Sequence, residues 1–383
     1  MREFLATAAA LATGHVLRGR HTALFSQSVA HSLGKRYAVA FNRGRFAIEV
    51  ILRGLKIGPG DEVVVPSYVC ATVIEGIAAS GAVPRFADVD NDLHMSLECA
   101  LAALTPATKC VVVPHLFGRA APVDEIEAAM RERGIPIIDD AAQSFGTHVR
   151  DRPVGSYGVA GVVGCGAGKN LSGAAGGLLI TDDIDLYQFA VSQSTHFEPV
   201  GEVVRRLLSH WLFRRLRYFT LPIDYLLHSV GERPRAESRA RMSNVDAAIG
   251  RAQLAKASKI AERRRSNAAW MAKVFSQAGI RVIDNFASSQ VALKLIFVLP
   301  DTGPSRVDAL RILADAGIEC QTGYGPCHLA SGLLPVLLPG TEAIWQRVVC
   351  VPLERTVSRK QLAEIARLLH PNVSDCLAGP AVN

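Results

Sequence analysis

From residue 36 onward the chain alternates short apolar runs with stretches of helical spacing, and this alternation restricts the fold more than any other feature. The apolar runs at 37–41, 62–66, 83–89, 111–113 and 135–138 are too short for helices and suit buried strands. Between them, Ala47, Ile48, Val50, Ile51, Leu52 and Leu55 recur with helical spacing, as do the apolar residues of 71–79 and 123–130. Gly58-Pro59-Gly60-Asp61 ends the first of these helices. Repeated strand–helix units imply an α/β fold with a mostly parallel sheet covered on both faces. In such sheets ligands collect beyond the C-terminal ends of the strands. Polar groups fall at those ends: Asn42 to Arg45, Ser67, His115, Asp140, Gln143 and Lys169. Each one alone reads as a turn or cap residue; their joint placement marks a site.

The pattern changes after Asp183. Residues 203–219 are apolar and arginine-rich at helical spacing, and 245–259 and 263–277 read as long helices. A strand at 291–299, a helix at 305–316 and a last helix at 359–369 follow. The expected division is an N-terminal arm over 1–30, a large domain over 31–243 and a smaller α+β domain over 244–383. The 383 residues are 49% hydrophobic, enough for a substantial core. The formal net charge of +7 comes largely from arginines at 205–241 and 263–265. Such runs form solvated faces or phosphate sites, and no nucleic-acid-binding pattern accompanies them.

Eight cysteines without metal-site spacing read as free thiols, which places the chain in a reducing, cytoplasmic setting and gives it no metal. Residues 1–20 faintly resemble a signal peptide, but Thr7 and Thr13 interrupt the apolar run, and a helix is the plainer reading. No apolar run is long enough for a membrane span. Segment 203–219 sets an apolar stripe opposite Arg206 and Arg217, with Arg205 and Arg215 in or beside the stripe. Together with Trp211 this fits a helix lying on a membrane surface. A helix packed on its own core or on a dimer partner is preferred, because most amphipathic helices in soluble chains face a core.

A lysine set among glycines stands at the centre of the pattern. The stretch GVVGCGAGKNLSGAAGG places Lys169 on a tight loop between two apolar runs. It is no phosphate-binding P-loop: the first glycine is missing at Val163, and Asn170 follows the lysine where Ser or Thr is needed. It is no dinucleotide fingerprint either, since Lys169 stands where the third glycine belongs. Pyridoxal phosphate asks for a different set of groups. Lys169 supplies an amine for its aldehyde, and Asp140 a carboxylate for the pyridine nitrogen. Backbone N–H groups at Gly44 and Arg45, opening a helix, supply donors for the phosphate. Gln143 reaches the ring hydroxyl region.

These residues lie in blocks that resemble the DegT/DnrJ/EryC1/StrS sugar aminotransferases, a branch of the fold type I pyridoxal phosphate enzymes. LKIGPGDEVVVPSYVCATV, GAVPRFADVD, VVPHLFG, IPIIDDAAQSFG, GKNLSGAAGG and RMSNVDAAIGRAQL occur in the family's order, from about residue 28 to 369. The resemblance implies a homodimer with active sites built from both subunits, glutamate as amino donor and a nucleotide-linked keto sugar as acceptor. Such chemistry belongs to polysaccharide or secondary-metabolite biosynthesis. Tyr68, His115, Tyr324 and His328 are the candidate substrate residues.

The chain departs from the family pattern at five places. Gly164 replaces a phosphate-binding serine, Gly166 a frequent histidine and Ala175 an acidic residue. Cys70 replaces the aromatic that stacks on the pyridine ring, leaving Tyr68 as a substitute. Arg239 replaces an asparagine that reaches the partner's phosphate, and its guanidinium fork fits that task. Two further readings are another pyridoxal phosphate reaction, such as a dehydration, and a non-catalytic protein on the same fold. Dehydratase relatives carry histidine at the lysine position, and a dead site has no reason to keep both Lys169 and Asp140.

Overall fold

Seven strands form the sheet on which the site is built, ordered across it as residues 37–41, 177–181, 160–164, 137–140, 108–114, 62–66 and 83–87. The computed structural model describes residues 14–166, 168–171, 175–216, 239–277, 279–283, 289–300, 303–315, 320–329 and 336–353, with backbone alone for 209–216 and 352. In chain order, α1 (His21–Ser32) leads to β1 (Tyr37–Phe41), α2 (Gly44–Gly54), β2 (Glu62–Pro66), α3 (Ala71–Ser80) and β3 (Val83–Ala87). Then come α4 (Leu97–Ala102), β4 (Thr108–Pro114), α5 (Val123–Glu132) and β5 (Ile137–Asp140). A small hairpin, β6 (His148–Val149) and β7 (Arg152–Pro153), precedes β8 (Ala160–Gly164) and β9 (Gly177–Thr181). The joins β3–β2, β2–β4, β4–β5 and β5–β8 are parallel, while β9 runs against both β8 and β1. The expected mostly parallel sheet is therefore present, with β9 alone reversed.

The strands read as unbroken apolar runs because helices cover both faces. Val63, Val64, Val65, Val111, Val112 and Val113 are all fully buried. On one face, α2 presents Ala47, Ile48, Ile51 and Leu52 to the core shared with Val63, Val65, Val112 and Leu179. Each fully buried branched side chain contributes about 1.5–3 kcal/mol. On the other face, Ile126 and Met130 of α5 pack with Val64, Val111 and Val113. Two glycines bring the start of β9 against the start of α2. A side-chain carbon on Gly177 would lie 2.4 Å from the Gly44 Cα, so any larger residue would force the helix end away.

After β9 come α6 (Ile184–Gln193), α7 (Val200–Leu216), α8 (Asn244–Leu254) and α9 (Ala257–Gln277). Next are β10 (Arg281–Val282), β11 (Lys294–Val298), α10 (Arg306–Asp315), α11 (Pro339–Ile344) and β12 (Val348–Pro352). The strands β10-β11-β12 form a separate antiparallel sheet. Its core joins Met271 and Phe275 of α9 to Leu295, Phe297, Leu313, Val349 and Val351. Helix α8 packs elsewhere: Ala247 lies with Phe25 and Val29 of α1, and Gly250 admits the Phe25 ring. The α1 segment, placed partly in an N-terminal arm on sequence, is thereby built into the large core.

Several elements differ from the sequence expectation. The third strand stops at Ala87, the strand in the small domain is confined to Lys294–Val298, and α4 and the β6–β7 hairpin were not anticipated. The helices expected at 245–259 and 263–277 break earlier, at residues 255–256. The stripe on α7 also divides differently. Val203 and Leu207 pack on Val16, Val245 and Ile249. Leu208, counted in the stripe, is 65% exposed. Arg206, placed on the outer face, turns inward to Glu198 at 2.6 Å and Asp246 at 2.8 Å. Paired acidic groups settle an arginine on a core-facing side, which helical spacing alone does not reveal. The Trp211 and Arg215 side chains, Arg217, Phe219 and the helix expected at 359–369 lie outside the described residues. No helix among the described residues is long and apolar enough to cross a membrane.

Candidate active site

Two adjacent aspartates end β5, and strand geometry sends them to opposite faces. Asp139 faces inward and is fully enclosed. Its Oδ1 accepts from His115 Nε2 at 2.6 Å, and its Oδ2 accepts from Gly155 N at 2.6 Å and Tyr157 N at 2.8 Å. His115 Nδ1 accepts from Ala121 N at 2.9 Å, which fixes the proton on Nε2.

Asp140 faces the other way and is also buried. Its Oδ1 accepts from Ala142 N at 2.9 Å, and its second oxygen has no hydrogen bond among the described residues. Burial holds its carboxyl above the usual aspartate range. The Ala142 N–H and the charge of Lys169 pull against that rise, while Asp139 adds to it.

Lys169 stands in a loop that leaves β8 and returns through Gly176 into β9. Cys165 N donates to Gly176 O at 2.8 Å at the loop's neck, and Lys169 N donates to Gly166 O at 3.2 Å in the turn itself. The lysine is half-buried. Burial draws its proton affinity below the usual lysine range; Cys70 and Asp140 oppose this and Lys294 adds to it. Asn170 anchors the loop from the next position. Its amide donates to Gln143 O at 3.0 Å and Val291 O at 3.1 Å, and its oxygen accepts from the buried Arg264 at 2.8 Å.

Gln143 lies a short step past Asp140. Its Oε1 accepts from Phe117 N at 3.3 Å and its Nε2 donates to the Tyr324 hydroxyl at 2.8 Å. Phe117 stacks on Tyr324 with ring centres 5.7 Å apart and planes at 20°. Its φ of 60° is the left-handed region that bulky residues avoid, so the surrounding contacts hold it there at a cost. Gly118 follows at φ 92°, where a side-chain carbon would stand 1.9 Å from the Val291 carbonyl oxygen.

The remaining sequence candidates separate into open and braced groups. Gly44 opens α2, with no acidic side chain in its first turn and no side-chain cap. The Arg45 side chain pairs with Glu75. Arg239, assigned on sequence to a partner's phosphate, meets Glu49 of its own chain at 3.2 Å. Tyr68, assigned to substrate or ring stacking, is fully buried beneath Phe117 and Tyr324, and its hydroxyl accepts from Tyr324 N at 3.3 Å.

His115 and His328, also assigned to substrate, have both ring nitrogens engaged within the chain. His328 binds Ser67 Oγ at 2.6 Å through Nδ1 and Glu342 at 3.2 Å through Nε2. Both histidines are struts in this geometry, because a buried ring with two protein partners has no donor or acceptor left. Gly164 lacks a side chain for a steric reason. A carbon there would stand 2.8 Å from the Ala142 carbonyl oxygen.

The open space fits pyridoxal phosphate. Side-chain carbons on Gly44, Gly166 or Gly168 would meet no heavy atom of the described residues within 4 Å, so among these residues room remains beside the lysine loop and the α2 N-terminus. The uncommitted Asp140 oxygen suits a protonated ring nitrogen, and the α2 N–H groups suit a phosphate. Sequence reasoning missed Asp139, Phe117, Asn170 and Lys294. Asp139 was visible as the twin of Asp140, and Asn170 as the neighbour of the lysine. Phe117 and Lys294 gave no local signal.

The family model described as the DegT/DnrJ/EryC1/StrS aminotransferase family matches residues 2–370. The aminotransferase TlmJ from Streptoalloteichus hindustanus is 27% identical, with a TM-score of 0.78 over 97% of this chain and 95% of that one. DesV from S. venezuelae, solved in complex with a ketimine intermediate, is 25% identical, with a TM-score of 0.75 over 96% of this chain and 92% of that one. DesI, solved in the presence of its TDP-sugar product, is 25% identical, with a TM-score of 0.76 over 96% of this chain and 88% of that one. With its lysine, aspartate and glutamine set on the expected sheet, the chain belongs to the DegT/DnrJ/EryC1/StrS aminotransferase family.

Proposed function

We propose that this pyridoxal phosphate-dependent sugar aminotransferase takes its amino group from glutamate and delivers it to a nucleotide-linked keto sugar. The nucleotide linkage is supported by DesI, whose structure was solved with its TDP-sugar product. The observation that carries the reading is a half-buried lysine in electrostatic reach of a buried Asp140 that has one oxygen without a hydrogen bond among the described residues. When bound, the cofactor supplies an electron sink for the carbanion formed at the substrate carbon.

The protein's own groups do the rest. Lys169 holds the cofactor and, once released, carries the proton to and from the reacting carbon. Burial lowers its proton affinity, which raises the fraction of neutral amine that can act as a base. Asp140 holds the pyridine nitrogen protonated, and that positive charge favours the ionised carboxylate that burial alone opposes. Gln143, fixed between Phe117 N and the Tyr324 hydroxyl, borders the ring oxygen. The Gly44 and Arg45 N–H groups receive the phosphate. Gly164, whose neighbour Ala142 leaves no space for a side chain, offers the phosphate only its backbone, and Arg239 of a second subunit adds a guanidinium in a cytoplasmic homodimer. The setting is polysaccharide or secondary-metabolite biosynthesis.

The test is a pair of half-reactions followed by absorbance. Glutamate should convert the yellow enzyme to its amino form and release 2-oxoglutarate. A TDP- or UDP-linked keto sugar should restore the yellow form. Borohydride reduction should label Lys169 alone, and Lys169→Ala should lose at least ~10³-fold in turnover, the scale of a positioned proton carrier. Label on another lysine would refute the assignment.

A further inference from the structure

Lys294 opens β11, and the site's other residues leave its charge unexplained. Its ammonium lies 5.7 Å from the centre of the Phe117 ring and donates to Gln321 Oε1. Phe117 is the ring stacked on Tyr324, whose hydroxyl is held by Gln143. Lys294 therefore neighbours the Phe117–Tyr324 stack that Gln143 holds at its other end. Its charge reaches the Lys169 amine and disfavours protonation there.

Nearby cations elsewhere have carboxylate partners: Arg45 has Glu75, Arg239 has Glu49 and Arg119 has Asp92. Among the described residues Lys294 has no carboxylate within ion-pair distance, although it stands in the field of a second lysine. An ammonium left without a carboxylate is balanced when an anion binds beside it. Gln321 accepts the ammonium through its oxygen and keeps an NH2 group as a second donor.

We propose that Lys294, with Gln321 beside it, binds a carboxylate of the amino donor. This rests on the reading of the chain as an amino-acid-consuming aminotransferase. A carboxylate suits the position better than the diphosphate of a sugar nucleotide. An amino acid carries its α-carboxylate one bond from the carbon that must meet Lys169, whereas the diphosphate lies a whole sugar ring from the reacting carbon.

The test uses cofactor-loaded enzyme and two inert probes, glutarate and inorganic pyrophosphate, with binding read by calorimetry and by the shift of the cofactor absorbance. Lys294→Met should weaken glutarate at least about tenfold, the scale of one charge-assisted hydrogen bond, and leave pyrophosphate unchanged. Lys294→Arg should restore glutarate affinity in large part. Equal glutarate affinity in wild type and Lys294→Met, no glutarate binding by wild type, or a selective loss of pyrophosphate would each overturn the proposal. Glutarate binding that depends on Lys294, in an enzyme that glutamate fails to convert to its amino form, would support Lys294 and overturn the glutamate reading alone.

Discussion

Asp139 and Asp140 are neighbours in sequence and equally hidden, yet the two faces of β5 treat them in opposite ways. On the closed face, three N–H groups saturate Asp139, and His115 is locked by its second nitrogen. On the open face, Asp140 keeps an oxygen without a hydrogen bond among the described residues, and the half-buried Lys169 lies within electrostatic reach. Burial alone does not identify a functional group. The separating feature is whether the chain itself completes the hydrogen bonding. A saturated carboxylate is a strut, while a buried carboxylate left half-satisfied is kept for a ligand.

The contrast predicts different losses from the same chemical change. Asp140→Asn should lower turnover by about 10³-fold, within the range of catalytic proton control, and shift the cofactor absorbance. Thermal stability should stay near wild type, since an amide fits a site with one bond to give. Wild-type turnover would remove Asp140 from the ring nitrogen. Asp139→Asn should do the reverse. An amide cannot accept from three N–H groups, and its own NH2 would face donors. Breaking this buried network should cost about 3 kcal/mol, read as a lower denaturation midpoint, with less than tenfold change in turnover per folded molecule. A stable variant with lost turnover would put Asp139 in the chemistry and dissolve the contrast.

The closed face extends to His94, whose Nε2 accepts from Leu116 N at 3.3 Å and whose Nδ1 faces Asp92. Burial pulls its affinity for protons down to about 4, against 6.5 unfolded; Asp92 opposes this, and Arg119 and His115 assist it. The unfolded chain therefore takes up the proton first. Stability from this group is complete above pH 6.5 and is lost as pH falls from 6.5 to 4. The loss should approach about 3 kcal/mol. His94→Gln, which keeps an acceptor for Leu116, should flatten the stability curve in that window. An unchanged slope would show that other groups set the acid sensitivity.

The sheet was legible in the sequence because its strands are buried on both faces and its helices keep one period over several turns. Lys169, Asp140 and Gln143 were legible for a related reason: each follows an apolar run and falls at a strand's carboxyl end. His115 shares that placement, and only the contact with Asp139 reveals which face its ring takes. His328, Phe117 and Lys294 depend on meetings between segments far apart in the chain. Ser67 and His328 are 261 positions apart, and Gln143 and Tyr324 are 181 apart. Local periodicity carries no record of such pairs. The inward turn of Arg206 was hidden likewise, since Glu198 and Asp246 come from outside its helix.

The finest division between closed and open runs through the lysine loop itself. Gly164 ends β8, which is paired on one side with β5 and on the other with β9. A carbon added there would stand 2.8 Å from the Ala142 carbonyl oxygen and 3.0 Å from the Ala142 Cβ, and a strand held on both sides cannot slide away. Gly164→Ala should cost about 1–3 kcal/mol, as overpacking does. It should also weaken cofactor binding, because Ala142 stands between Asp140 and Gln143. Two residues on, an added carbon at Gly166 meets nothing among the described residues within 4 Å, and its backbone is not in the left-handed region. Gly166→Ala should change stability by less than about 0.5 kcal/mol. Urea midpoints with and without cofactor measure both variants. If Gly166→Ala proved as costly as Gly164→Ala in the cofactor-free protein, the space beside Lys169 would be filled by the chain itself, and the open face of β5 would have no room for its ligand.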